Sequence, residues 1–117
     1  MANKKFYITT AIVYANAEPH IGFALELVYA DVLARYHRLL GDDVYFLTGT
    51  DEHGQKIWRA AKSAGITPQK FTDQISAKVK LLADRLNISN DDFIRTTEAR
   101  HRKGAEYFWT SVKKAGY

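Results

Sequence analysis

The sequence predicts an α/β fold in which helices flank a doubly wound sheet of three parallel strands. Segments with strand and helix periodicity alternate along the chain in the order strand, helix, strand, two helices, strand, helix. The apolar run at residues 44–47 is bounded by turn residues, which is typical of a strand covered on both faces, as in a parallel sheet. Right-handed crossovers between such strands would leave all three parallel in one sheet.

The first strand and the first helix have clear periodicities. Between residues 5 and 12, apolar and β-branched side chains alternate along the chain, which predicts a strand. From Ile21 onward the apolar residues recur in steps of three and four, which predicts one face of a long helix. That face comprises Ile21, Leu25, Val28, Val32, Tyr36 and Leu39. The turn residues at positions 41–43 end the helix.

Polar and capping residues delimit the middle of the chain. After the strand at residues 44–47, residues 48–54 are predicted to form a polar loop, followed by a helix at residues 55–64. Gly65 suits the position just after that helix. Thr67 and Pro68 fit the N-cap and first position of a further helix, whose apolar face comprises Phe71, Ile75, Val79, Leu82 and Leu86.

The last predicted elements are a short strand at residues 93–96 and a helix that runs to residue 114. Thr97 is predicted to cap this helix, with Glu98 favourably placed in its first turn. Its aromatic residues are expected to take part in core and helix packing; they are Tyr107, Phe108 and Trp109.

The composition fits one ordinary globular domain of 117 residues, 46% hydrophobic and 26% charged. No apolar run approaches the roughly 20 residues that cross a bilayer, and residues 1–5 lead into a strand with no secretory signal. The absence of cysteine excludes disulfides and thiolate metal sites and favours a cytoplasmic location. The net charge of +4 is spread over residues 56–85 and 100–114, which favours solvated helix faces over a nucleic-acid patch.

Two polar loops, residues 13–19 and 48–54, leave the carboxyl ends of predicted strands and should share one ligand crevice. In the first loop, Tyr14 with Ile12 and Val13 could wall a small apolar pocket, while turn geometry explains Asn16 equally well. His20 and Gly22 lie where the first helix begins, and helix N-termini bind anions. On these residues alone, helix capping by His20 and helix packing at Gly22 are the favoured interpretation.

In the second loop, Asp51 and His53 suggest a catalytic pair, a metal site or a carboxylate for a ligand's ammonium group. Zinc is the weaker hypothesis, because no third imidazole or cysteine stands at helical spacing. An N-cap for the following helix would by itself account for Asp51. His37 and His101 lie among charged residues of helices and are expected at the surface.

The motifs together, in this order, resemble bacterial methionyl-tRNA synthetases over nearly the whole chain. The resemblance is found in the segments at residues 8–12, 19–22, 30–38, 48–56 and 91–97. The HIGH-type tetrapeptide at residues 20–23 is shared by class I tRNA synthetases, whereas Thr-Gly-Thr-Asp-Glu-His-Gly at residues 48–54 is more specific to the methionine enzyme. The resemblance implies that residues 1–117 are the first half of the Rossmann-like catalytic domain.

The resemblance also implies site residues and a two-step reaction. His20, as the catalytic residue, and Gly22 would face the phosphates of Mg²⁺-bound ATP, with Phe23 beside them. Asp51 would hold the methionine ammonium, while Ile12 and Tyr14 would help form the thioether pocket. Methionyl-adenylate would form first, and the methionyl group would then pass to tRNA-Met. Such catalysis depends on orientation and phosphate stabilisation, not on a protein nucleophile.

The sequence departs from this family in two respects. Phe23 replaces the second histidine of the HIGH motif, and Val13 stands where the family often has proline. The connective insertion with its zinc knuckle, the KMSKS loop and the anticodon-binding domain are expected after Tyr117. The first strand would then leave a bare sheet edge that invites self-association. A non-catalytic methionine- or nucleotide-binding fragment, a degenerate paralogue and another small nucleotidyltransferase remain alternatives.

Overall fold

The computed structural model describes residues 4–117, so residues 1–3 and the predicted absence of a signal there lie outside the described part of the chain. These described residues form four strands and four helices. The strands are β1 (Lys5–Thr9), β2 (Val13–Tyr14), β3 (Asp43–Asp51) and β4 (Asp92–Arg95). The helices are α1 (Ile21–Leu39), α2 (Gln55–Ser63), α3 (Pro68–Arg85) and α4 (Ala99–Lys114). Their order along the chain is β1, β2, α1, β3, α2, α3, β4, α4.

All strand pairings are parallel and centre on β3, which confirms the predicted α/β class. β1 and β2 pair one after the other with one edge of β3, and β4 pairs with the opposite edge. The predicted first strand, residues 5–12, therefore ends early at Thr9, and β2 lies within the predicted loop at residues 13–19. Four residue steps separate Thr9 from Val13, whereas three separate their β3 partners, Leu47 and Thr50. The extra residue makes a bulge between β1 and β2, a feature that re-aims the side chains after it.

β3 is longer than predicted, because residues 48–51, expected in a polar loop, continue the strand. Thr48 and Thr50 are almost fully buried there. The Thr48 hydroxyl lies 2.7 Å from that of Thr10, and the Thr50 hydroxyl donates to Glu52 Oε1 at 2.7 Å. Polar side chains are tolerated in the middle of the sheet because each finds such a partner.

α1 has the predicted bounds but turns its predicted apolar face outward. Ile21, Val32 and Leu39 are 85%, 58% and 87% exposed. The sheet is instead covered by small side chains and two larger ones, namely Ala24, Ala30 and Ala34 with Phe23 and Leu27. Alanines let the helix approach the strands closely, so the larger apolar residues occupy the opposite side, which nothing in residues 4–117 covers.

α2 and α3 agree with their capping signals. Thr67 Oγ1 accepts a hydrogen bond from the backbone N–H of Lys70 at 3.2 Å, and Pro68 is the first residue of α3. Gly65 follows α2 with a left-handed φ of 69°. Ile75 and Val79 of α3 are buried with Ile57 of α2 in one apolar cluster, as the periodicity of α3 predicts.

α4 departs from the prediction at its start and along its length. Its N-cap is Glu98, not Thr97, because the Thr97 hydroxyl donates to Glu52 Oε2 at 2.6 Å instead. No residue of α4 is buried, and Tyr107, Phe108 and Trp109 are 70% or more exposed. The expected packing of these aromatic residues is therefore wrong for the described part of the chain. None of the helices in residues 4–117 has the length and apolarity to cross a membrane.

Candidate functional site

The predicted crevice at the carboxyl ends of the strands brings Tyr14 and Asp51 side by side. The two residues are register partners in the β2–β3 ladder, and the backbone N–H of Ala15 donates to the carbonyl oxygen of Asp51 at 2.8 Å. Gly54 lies against Tyr14: a Cβ at position 54 would stand 2.4 Å from the Tyr14 hydroxyl. Its φ of 126° also favours glycine.

The bulge before β2 carries Ile12, whose side chain is partly exposed. Two polar contacts hold the bulge. The Thr10 hydroxyl donates to the carbonyl of Ala11, and the Ala11 N–H donates to Glu26 Oε1 at 2.6 Å. Glu26 thus satisfies an amide that the bulge removes from the ladder. Sequence reasoning missed Glu26, since a lone acid on an amphipathic helix carries no signal of such a contact.

The Asp51 carboxylate is not used by the fold. α2 is capped at Gly54, so the alternative that Asp51 is its N-cap is wrong. Within residues 4–117, Asp51 forms no ion pair, and its one polar contact is a 3.5 Å approach of the His53 N–H to Oδ1. A half-buried carboxylate with unused acceptor capacity can receive a ligand's ammonium group.

His20 caps α1 and still presents a donor. Its Nδ1 accepts a hydrogen bond from the N–H of Gly22 at 3.1 Å, so capping is part of its role. Because Nδ1 accepts, the neutral ring carries its proton on Nε2, on an exposed side chain. Gly22 permits the contact, since a Cβ there would lie 2.9 Å from His20 Cε1. No hydrogen bond among the described residues joins His20 to the Tyr14–Asp51 pair.

Phe23 fills the core beneath the first turn of α1. Its side chain is 5% exposed and belongs to a cluster with Ala15, Leu27 and Ile57, against which Tyr14 packs. The ring therefore anchors the start of α1 to the wall that carries Tyr14. Its predicted place beside the ATP phosphates stays a prediction.

Glu52, between Asp51 and His53, is buried at the centre of a polar network that sequence reasoning missed. Arg95 donates from Nε to Oε1 at 2.7 Å and from Nη2 to Oε2 at 2.9 Å. Thr50 and Thr97 also donate to this carboxylate, and the Glu52 N–H donates to Thr96 Oγ1 at 2.8 Å. Burial by itself would raise the pKa of Glu52, but the hydrogen bonds from Arg95 and the threonines outweigh it and hold that pKa below its ordinary value.

His37 and His53 each contact a neighbouring residue of the fold. His37 Nδ1 lies 2.6 Å from Asp42 Oδ2 and its ring stacks on Phe6, so it is partly enclosed and not a bare surface residue as expected. The ring of His53 reaches the carbonyl of Thr96, with Nε2 at 3.3 Å. Residues 4–117 contain no group of three or more His, Asp or Glu side chains arranged to hold a metal ion.

An apolar groove of about 320 Å³ opens beside the start of α1. It is lined by Ile21, Gly22, Ala24, Leu25, Val28 and Leu86. The groove lies between the start of α1 and the end of α3, where Leu86 stands, and its lining does not include Tyr14 or Asp51.

Comparison with known proteins matches these features to one family. The family model described as "tRNA synthetases class I (M)" matches residues 6–117. The chain is 50% identical over 116 residues to the methionine–tRNA ligase of Brucella melitensis, with 99% of this chain and 22% of that protein covered. It is 54% identical over 112 residues to that of Thermotoga maritima, with 96% of this chain and 18% of the relative covered.

A solved structure shares the fold closely. The methionyl-tRNA synthetase of Mycobacterium tuberculosis, in complex with methionyl-adenylate, superposes with a TM-score of 0.94 at 45% identity. The match covers 97% of this chain and 22% of that one. The chain thus spans 22% of the length of the first curated relatives it matches.

Proposed function

The chain belongs to the methionyl-tRNA synthetase family of class I tRNA synthetases, and on that premise we propose that the full-length protein is a methionine–tRNA ligase. In the first step, the methionine carboxylate attacks the α-phosphorus of Mg²⁺-bound ATP. The bond to pyrophosphate breaks, and methionyl-adenylate forms. In the second step, a hydroxyl of the terminal adenosine of tRNA-Met attacks the carbonyl carbon, and AMP leaves.

The observation that carries this proposal is the juxtaposition of Tyr14 and Asp51 at the carboxyl edge of the sheet. A carboxylate without an ion pair, next to an aromatic wall, fits an amino acid that presents an ammonium group and an apolar side chain. Asp51 receives the ammonium, while Tyr14 and Ile12 line the thioether pocket. The similar solved structure is a complex with methionyl-adenylate, which supports a site for methionine and adenylate in this fold.

ATP lies at the start of α1. The Nε2–H of His20 donates to phosphate oxygens at the positive end of the α1 dipole, and Gly22 lets the ligand approach the backbone. Magnesium enters with ATP as part of the substrate. No step is assigned to zinc, because the described residues offer no donor group of three for it and the family's zinc knuckle would lie in the insertion.

In its family context, the chain contributes the N-terminal half of a Rossmann-like catalytic domain of a cytoplasmic enzyme. The outer edge of β1 has no strand partner within residues 4–117. We expect this edge to drive self-association of the isolated fragment. Sedimentation that shows a monomer at high concentration would refute that expectation.

Methionine-dependent exchange between ATP and pyrophosphate tests the proposal. The full-length protein should catalyse it, and residues 1–117 alone should show little or none, because the remaining ATP contacts implied by the family come from other segments. Asp51→Asn should raise the KM for methionine about 10- to 100-fold, since a hydrogen bond to a charged group contributes about 1.5–3 kcal/mol. Lack of exchange from a folded full-length protein would instead favour a degenerate paralogue.

The buried ring of Phe23 is what favours the non-catalytic alternative, since position 23 offers no donor to phosphate. Removal of one such donor costs about a hundred- to a thousandfold in rate. A full-length protein that binds methionine and ATP without exchange would be a binding module. Measurable exchange with wild-type Phe23 would show that other donors suffice.

A further inference from the structure

The buried Glu52–Arg95 pair begins at the residue next to Asp51. Glu52 follows Asp51 in the chain, and its side chain has no exposed surface. Asp51 is the last residue of β3 and Glu52 is the first residue after it, so the contacts that hold Glu52 also restrict the backbone from which the Asp51 side chain projects. The pair joins the carboxyl end of β3 to that of β4, because Arg95 is the last residue of β4.

The network reaches a third element through Arg95, whose Nη2 also donates to Asp73 Oδ1 of α3 at 2.5 Å. The backbone at Glu52 is held as well, by Thr96, and the ring of the next residue, His53, reaches the carbonyl of Thr96. Two consecutive residues of the loop motif, Glu52 and His53, are therefore tied to β4 and to the segment after it, and through Arg95 to α3. The carboxylate of Asp51 is the polar group in this stretch that the ties leave available.

Stability alone does not explain a buried ion pair. Desolvation offsets much of its attraction, and apolar residues of similar volume are often as stabilising. A fixed bidentate geometry is what such a pair supplies in addition. Because Arg95 compensates the Glu52 charge, Glu52 does not compete with Asp51 for a ligand's ammonium group.

We propose that Glu52 and Arg95 are positioning residues, whose bidentate pair orients the Asp51 carboxylate toward the α-ammonium of the amino-acid substrate. This rests on the proposed function, in which Asp51 receives that group. Neither residue contacts substrate. Loss of the pair should therefore weaken the use of methionine while leaving the ATP side of the site at His20 intact.

The test variant is Glu52→Gln in the full-length protein, which keeps the size of the side chain but removes its charge. The measurements are the KM values for methionine and for ATP in pyrophosphate exchange, and the thermal midpoint. We expect the methionine KM to rise about tenfold or more, as small misplacements of an orienting group can cost about a hundredfold. The ATP KM should stay within about twofold, because His20 and Gly22 lie outside the network.

Asp31→Asn is the matched control. Asp31 is also a buried carboxylate, and it accepts from Arg35 Nε at 2.6 Å and from the Ser89 N–H at 2.7 Å. Ser89 lies before the amino end of β4, whereas Asp51 lies at the carboxyl end of β3. The second network is therefore at the opposite end of the strands from Asp51. Asp31→Asn should lower the thermal midpoint as Glu52→Gln does, but leave the methionine KM unchanged.

Calorimetric binding of methioninol, which keeps the ammonium and the thioether but has no carboxylate to activate, separates the two proposals. Wild-type protein that binds methioninol but has no exchange activity would overturn the ligase proposal alone. The methioninol affinities of the variants would then decide whether Glu52 and Arg95 position Asp51. An unchanged affinity in Glu52→Gln, or an equal loss in Asp31→Asn, would overturn the positioning role. If Glu52→Gln fails to fold, Thr97→Val, which removes one hydrogen bond to Glu52 Oε2, decides by the same measurements.

Discussion

Replacement of Phe23 by histidine would restore the family's motif at this position, but the fold opposes it. The Phe23 ring is 5% exposed and packs in the apolar cluster with Leu27, Ile57 and Val79. An imidazole there loses part of the apolar transfer energy and lies without an evident partner. A buried polar group without a hydrogen bond costs about 1–3 kcal/mol. With the lost apolar transfer, we expect Phe23→His to lower the free energy of unfolding by about 2–4 kcal/mol.

Urea unfolding of residues 1–117, followed by circular dichroism, measures this change. Tyr29→His is the matched control, because Tyr29 is on the same helix but 64% exposed; it should change stability by no more than about 0.5 kcal/mol. The Phe23→His penalty should grow below pH about 6.5, because burial lowers the pKa of an imidazole and the unfolded chain then binds more protons. A variant as stable as wild type at pH 8 and at pH 5 would refute the assignment of Phe23 to the core.

Two further perturbations test the site wall and the polar networks. Gly54→Ala should lower the free energy of unfolding by about 1–2 kcal/mol, because φ at position 54 is 126°. It should also raise the methionine KM, because the added Cβ would displace the Tyr14 hydroxyl. Gly65→Ala is the control: φ there is 69° and the space is open, so the methionine KM should not change. Burial raises the pKa of Glu52, but the hydrogen bonds from Arg95, Thr97 and Thr50 outweigh it and hold that pKa below its ordinary value of 4.5. Hydrogen bonds from Arg100 lower the pKa of Asp92 to about 2. Both carboxylates therefore stabilise the fold above their unfolded pKa values, and urea midpoints should fall as the pH drops from about 5 to about 2. Asp92→Asn should flatten this dependence, and an equal slope in that variant would contradict it.

Local signals were sufficient wherever a neighbouring residue completes the interaction. The Thr67 cap, the Gly65 turn and the start of α1 at Ile21 each depend on atoms within a few positions, so the sequence predicts them correctly. The bulge between β1 and β2 could not be predicted in this way. It depends on the register with β3 and on Glu26, which is fifteen positions from its partner Ala11.

Apolar periodicity failed on α1 and α4 for a different reason. It predicts that a face is covered but cannot say by what. On α1 the sheet takes the alanine side, and the larger side chains, such as Ile21 and Val32, stay exposed. On α4 no residue is buried at all. The chain covers 22% of its first curated relatives, so these faces need not be covered within residues 4–117.

The two ends of the HIGH-type motif perform different tasks in this chain. His20 has one nitrogen bonded to the N–H of Gly22 and so presents the other outward, whereas Phe23, one turn later, enters the core. A histidine at position 23 would add a donor but would have to leave that cluster to use it. The phenylalanine instead fixes the helical turn from which His20 acts. If Phe23 also lowers the rate of methionine activation, the loss reflects a missing donor and not a misplaced helix. Pyrophosphate exchange by the full-length Phe23→His protein, measured under conditions where it remains folded, distinguishes a missing donor from a misplaced helix.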